Sequence, residues 1–129
     1  LPAARADEWN QKTKMSFTEP VEIPGRVLAP GTYWFVLLRS DSERNIVQVF
    51  SQDSSYFYAT LLTIPTDRPQ ATDKTEIKFA ERPYDKPEAL LKWYYPGLLA
   101  GHEFLYSRKR EKELSRDSQQ DGLVVTMPL

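Results

Sequence analysis

The sequence predicts an all-β domain, an antiparallel β-sandwich or a partly open barrel with one or two short helices. Three features carry the prediction. Apolar and β-branched residues recur in short runs with a period of two. The prolines, 10 in 129 residues, stand between those runs, where a missing backbone donor is tolerated. Polar loops of five or six residues join consecutive runs in the first half of the chain, as antiparallel neighbours require. The length allows one core to be buried without a metal or a disulfide, and the chain has no cysteine.

The organising stretch is 22–39, EIPGRVLAPGTYWFVLLR. Pro24-Gly25 and Pro30-Gly31 each set a fixed φ beside a residue free to take positive φ, which is turn chemistry. From Thr32 to Arg39 both alternate faces are apolar, Trp34, Val36 and Leu38 on one and Tyr33, Phe35 and Leu37 on the other. Such a strand is expected to need cover on both sides. Ahead of it, residues 1–8 form an extended arm, and Trp9 to Thr18 alternates as a half-buried strand with Thr13, Met15 and Phe17 inward. Val21 to Ile23 and Arg26 to Leu28 are short extended pieces. After the central strand, Ile46 to Phe50 and Tyr56 to Ile64 return as an antiparallel meander, and Lys74 to Ala80 is a further half-buried strand.

At Asp85 the pattern changes. Asp85-Lys86-Pro87-Glu88 combines an acidic N-cap, a Glu three positions on and a Pro in the first turn, and Ala89, Leu90, Leu91 and Trp93 follow. A helix of about two turns is expected over 85–93. His102 to Tyr106 is a strand, and Ser107 to Ser115 is rich in helix formers with Lys109 and Glu113 at the i,i+4 spacing, so a second, solvated helix is expected there. Residues 116–122 form a polar spacer, and Leu123 to Leu129 an apolar terminal strand. The chain thus divides into an arm over 1–8, a β domain over 9–115, and a spacer with a terminal strand over 116–129.

Seventeen basic and 18 acidic side chains leave a net charge of -1, which removes the electrostatic case for a nucleic-acid partner. The longest apolar run, Tyr33 to Leu38, falls far short of the ~20 residues of a membrane-spanning helix. Ala4-Arg5-Ala6 before Asp7 reads as the small-x-small end of a processed leader, so the protein is expected to be exported: extracellular, at the cell surface or periplasmic.

WNQKTKMSF, PVEIPGRVLAPGTYWFVL, RNIVQVF, YATLLTIP, FAERP, PEALLKWYYPG and GHEFLY follow in that order between Trp9 and Tyr106. As an ordered set they resemble a family of small exported bacterial proteins with no assigned activity. The resemblance implies an exported, mainly β domain and supplies no catalytic residue.

The candidate chemistry is sparse. His102, the single histidine, has no cysteine to join it in a common zinc set and no motif-placed serine to serve, so no metal or catalytic role is expected. Glu76, Glu81, Asp85 and Glu88 alternate with Lys74, Lys78, Arg82 and Lys86 as a solvated, charge-balanced surface does. Acidic residues interrupt the basic run 108–110 at once. No cofactor is implied. Two features remain. Tyr33, Trp34, Tyr56, Tyr58, Trp93 and Tyr94, drawn from three aromatic triplets, form a candidate ring surface for stacking on a polysaccharide or for a protein interface. Leu123, Val124, Val125, Thr126 and Met127 form an uncharged β-prone tail, able to complete its own sheet or a neighbour's. The expected function is therefore non-enzymatic: an extracellular structural or interaction domain, self-assembling through strand complementation with other copies of itself or joined to another extracellular protein. The alternative is a carbohydrate-binding module.

Overall fold

The computed structural model describes residues 4–9, 12–38, 45–80, 82–83, 85–121 and 124–128, with side chains for those from 12 to 117. Among them are eleven strands and one helix: β1 (Ala4–Trp9), β2 (Lys12–Phe17), β3 (Val21–Ile23), β4 (Arg26–Leu28), β5 (Gly31–Leu38), β6 (Asn45–Ser51), β7 (Phe57–Asp67), β8 (Glu76–Ala80), β9 (Glu88–Tyr94), β10 (Ala100–Phe104), α1 (Arg108–Asp121) and β11 (Val124–Pro128). The fold is all-β, as expected.

The strands form one sheet, β1-β2-β5-β6-β7-β10-β9, which continues from the far edge of β9 to β8 and β11. Ala89 pairs with Glu22 of β3 and with Ala80 of β8, while Trp93 pairs with β10 and β8. The β3–β4 hairpin therefore shares an edge of β9 with β10, and β3–β9 is the parallel pair in an otherwise antiparallel sheet. Pro24-Gly25 makes that hairpin's turn, with Gly25 at φ +90°, a conformation that strains any other residue.

The sheet curls so that its two halves face each other across one core and its two ends approach one another. Phe17 of β2 lies edge-on to Phe79 of β8 at 6.3 Å, and Phe35 of β5 edge-on to Trp93 of β9 at the same separation. β1 and β11 approach within 8 Å without a hydrogen-bonded ladder between them. The result is a partly open barrel filled by Met15, Phe17, Phe35, Leu37, Val47, Val49, Leu61, Ile77, Phe79 and Trp93.

Four expectations are corrected. The helix expected over 85–93 is β9, at the middle of the sheet between β8 and β10. Its bulge explains the misreading: Lys78 pairs with Lys92 but Phe79 with Leu90, so Leu91 is an extra residue that breaks the period of two. Asp85-Lys86 is instead a turn, with the Lys86 amide donating to Pro83 O at 2.9 Å, and Pro87 precedes a strand. The spacer over 116–121 is the second half of α1, held by Asp117, and so is not an open linker. Prolines do enter strands, since β7 runs on through Pro65, opposite His102, and β11 contains Pro128. One absent donor does not end a ladder whose neighbours still pair. Finally, the arm's residues 4–8 form a strand paired with β2, and Trp9 closes that strand where it was expected to open the next one. Arg39 and the loop after it lie outside the described residues.

Candidate functional site

The central strand β5 is covered on one face only. Tyr33, Phe35 and Leu37 are buried in the barrel, whereas Trp34 and Val36 are half-buried and Leu38 is 42% exposed. Register extends these outer positions into rows across β6 and β7. Leu38 pairs with Ile46 and Ile46 with Leu62; Val36 with Gln48 and Gln48 with Thr60; Trp34 with Phe50 and Phe50 with Phe57. The third row depends on a register shift at Val49/Phe50, which brings Phe57 beside Phe50, their rings 5.4 Å apart. Phe57 and Leu62 remain 48% and 43% exposed. Singly exposed apolar residues are ordinary, but contiguous rows of them mark a surface.

The polar atoms at the border of this face are already engaged. Ser16 Oγ and Thr32 Oγ1 are 2.8 Å apart, and the Trp34 indole N–H donates to Gln52 O at 2.9 Å. Lys14 Nζ stands 5.8 Å from the Trp34 ring centroid, its charge facing the ring. On the other flank the Leu105 amide donates to Leu62 O, and beyond it α1 covers the sheet. A groove of about 350 Å³ remains there, walled by Leu91, Phe104, Leu105 and Leu114 with Lys92 and Glu103 at its rim.

The six candidate rings do not form one surface. Tyr33 points into the barrel, donating to Ala29 O at 2.5 Å, and burial raises its phenol pKa. Tyr58 lies edge-on to Tyr33 at 5.2 Å, Tyr56 packs 4.6 Å from Tyr58, and the Arg26 guanidinium sits 5.1 Å over the Tyr58 ring. These three belong to the inner side of the sheet at one end of the barrel, and Trp34 to the outer side. Trp93 and Tyr94, expected as exposed rings, are buried, because β9 is covered on both faces. Tyr94 lies beneath Arg68 and donates to Asp67 O. Gly101 makes room for it: a Cβ at 101 would stand 2.7 Å from Tyr94 Cε1 and 2.6 Å from Trp93 O.

The terminal strand pairs at home. Val124, Val125, Thr126 and Met127 lie antiparallel on β8, with Val125 opposite Phe79; Leu123 lies outside the described residues. His102 is half-buried against the Trp93 and Tyr95 rings, at 5.7 and 6.1 Å. Among the expected surface carboxylates, Glu76 is bound by Arg68 and Asp85 is exposed; Glu81 lies outside the described residues. Among the described residues no three His, Asp or Glu are grouped so as to hold a metal ion.

Two charge clusters were not visible in the sequence. Glu22 accepts from Arg82 Nη1 at 2.8 Å and from Nε and Nη2 of Arg110, while Arg82 Nε donates to Asp117 at 3.1 Å. The cluster fastens α1 to β3. Hydrogen bonding to Glu22 raises the Arg110 pKa, and the same guanidinium holds Glu113 below the ordinary carboxylate range. Burial pushes the Tyr106 phenol up as it donates to Leu90 O at 2.6 Å. In the second cluster Arg68, buried, donates to Leu98 O, Tyr95 O and Glu76. Partners so far apart in sequence leave no local motif; Glu22, set between Val21 and Ile23, was the available signal. Comparison of the chain with family models, curated proteins and solved structures gives no match.

Proposed function

We propose that this chain is a non-enzymatic interaction domain, exported as the sequence resemblance implies, which binds through the uncovered outer face of β5, β6 and β7. The observation that carries the reading is the contrast within β5, whose inner side chains are packed while its outer ones are left facing solvent in register with those of β6 and β7. Covering a half-exposed Leu or Phe gains on the order of 1 kcal/mol, so a few rows supply useful affinity. Donation of the terminal strand to a neighbour requires β11 to leave β8; the outer face requires no such rearrangement.

The carbohydrate reading has Trp34, Tyr56 and Tyr58 for stacking. It is the weaker one, because the Trp34 N–H and the Ser16 and Thr32 hydroxyls are spent within the protein and the rest of the face is mainly aliphatic and aromatic. Fluorescence of an apolar dye tests the main reading. The chain is expected to enhance the dye, Leu62→Lys to lose most of that enhancement, and polysaccharides to leave the Trp emission unchanged. Dye binding that survives Leu62→Lys, or a saturable Trp response to one polysaccharide, would overturn it.

A further inference from the structure

We infer that α1 is a charge-latched strap at the flank of the outer face of β5, β6 and β7, which loosens when its ion pairs are screened and so enlarges that face. The inference rests on the reading of the face as an interaction surface and adds its regulation.

A surface helix ordinarily presents an apolar stripe to the sheet it covers. α1 does not. Arg110, Glu113, Leu114 and Asp117, at the i, i+3, i+4, i+7 spacing of one helix face, are its buried or half-buried side chains, and the other residues from 108 to 116 are exposed. Three of the four are charged, and Leu114 is the one apolar residue in RKREKELSRDSQQD. Leu114 rests on Ala80 and Ala89. Ions do the rest: Arg110 Nε donates to Glu22 at 2.6 Å, and Asp117 accepts from Arg82 at 3.1 Å with Lys86 at 3.7 Å.

The cluster divides without stranding a buried charge. When α1 lifts, Glu22 and Arg82 keep each other at 2.8 Å on the body of the domain, and Arg82 keeps Pro87 O as well. On the helix Arg110 keeps Glu113 at 2.5 Å, and Asp117 passes into water. An unpaired buried charge is what makes breaking such a cluster costly, and here none is left. The helix also stands at the right place. Since the Leu105 amide donates to Leu62 O, Leu105 follows Leu62 in the outer row that begins with Leu38 and Ile46. Leu105 and Leu91 line the 350 Å³ groove together with Leu114, so α1 already stands off the sheet on this side. Moving it outward takes the Leu114 wall away and adds Leu105 and Leu91 to the row.

The chain has no cysteine, so a single introduced one reports access at its own site. Ala89→Cys lies under Leu114 and Val49→Cys lies inside the barrel, both at positions with no exposed surface. Labelling by a small thiol reagent is followed from about 0.1 to about 1 M sodium chloride, which shortens the screening length from about 10 to about 3 Å. The rate at 89 is expected to rise at least threefold and the rate at 49 to stay level. Adding Arg110→Gln, which leaves the Glu22–Arg82 pair intact, is expected to bring the fast rate at 89 already at 0.1 M salt. Arg110→Gln alone should enhance an apolar dye more than the parent chain does, and Leu62→Lys should remove most of the enhancement in both. If a cysteine variant melts early, hydrogen exchange of the α1 amides against those of β6 in the otherwise unchanged chain gives the same readout. A rate at 89 that follows the rate at 49, or that ignores Arg110→Gln, would overturn the latch. Opening at 89 with no gain in dye enhancement would overturn its control of the face. Dye enhancement that survives Leu62→Lys would instead count against the face itself, while labelling at 89 still reports the strap.

Discussion

β5 and β9 are both apolar on two faces, yet one is left half bare and the other is enclosed. Along β5 buried and half-exposed residues alternate, whereas β9 buries the neighbours Ala89 and Leu90, then Trp93 and Tyr94. The difference lies in what is laid over the outside. α1 sets Leu114 against Ala80 and Ala89, and the segment carrying Arg68 covers Tyr94. Both covers are fastened by charge, through Glu22, Arg82, Arg110 and Asp117 in the first and through Arg68 and Glu76 in the second. Among the described residues no comparable ion cluster fastens a cover over β5 and β6. An apolar outer face is thus buried where a charged residue elsewhere ties something over it, and is otherwise available to a partner.

The sharpest way to break this comparison is to remove one Trp from each region. Trp93→Ala, at a site with no exposed surface, is expected to cost about 3–5 kcal/mol in urea denaturation. Trp34→Ala, on the half-buried outer row, is expected to cost about 1 kcal/mol or less. Similar losses at the two sites would mean that the outer face is packed after all.

Next in size is the fastening itself. Glu22→Ala leaves Arg82, whose side chain is 3% exposed, and Arg110 facing each other without their shared carboxylate. The expected loss is about 3 kcal/mol. Hydrogen exchange should show it as faster exchange along α1 with the β5–β7 amides unchanged; unaltered protection of α1 would show that Glu22 is not what holds it.

A smaller effect is expected at Gly101. An alanine there must displace the Tyr94 ring from its place under Arg68, for about 1–3 kcal/mol. Thermal melting of Gly101→Ala measures it. Gly25→Ala serves as the control in which only backbone strain changes, since no atom would stand within 4 Å of the new Cβ.

Much of the strand inventory was legible because β2, β5, β6 and β8 alternate cleanly, and Pro-Gly punctuates the β3–β4 turn. β9 was not, for a physical reason: a bulge and burial on both faces remove the period of two, and Asp85 to Glu88 happens to carry helix-cap chemistry used here for a turn. The helix over 116–121 was equally hidden, since what ties it down, Arg82 against Asp117, comes from 35 residues away in the chain. As for the site, of the rings taken from the aromatic triplets Tyr56 is exposed and Trp34 and Tyr58 half-buried, while Tyr33, Trp93 and Tyr94 are buried. The aliphatic members of the outer face, Leu38, Ile46 and Leu62, come together only through register across three strands, which a linear reading does not display.

The two regions should also separate on acidification, with the smallest effects of all. Asp117 is held below the ordinary carboxylate range: burial opposes its ionisation, but the hydrogen bond from Arg82 and the nearby charges of Lys86 and Arg110 outweigh it. A carboxyl depressed on folding stabilises the protein above its unfolded value and loses that contribution as pH falls through its folded value. The α1 fastening should therefore weaken below about pH 4, where unfolded carboxyls begin to take up protons. In the meander, Asp53 is lowered to about 2 by hydrogen bonds from Ser55 and Ser51, so its contribution to the β6–β7 turn begins to be lost at the same unfolded value and goes on being lost down to about pH 2. Melting temperatures followed from neutral pH downwards should start to fall near pH 4 for both groups. Asp117→Asn should flatten the upper part of that fall, and Asp53→Asn should flatten it down to about pH 2. If Asp117→Asn followed the parent protein at every pH, the fastening would have to draw its acid sensitivity from Glu113 instead, which the Arg110 guanidinium holds below the ordinary carboxylate range.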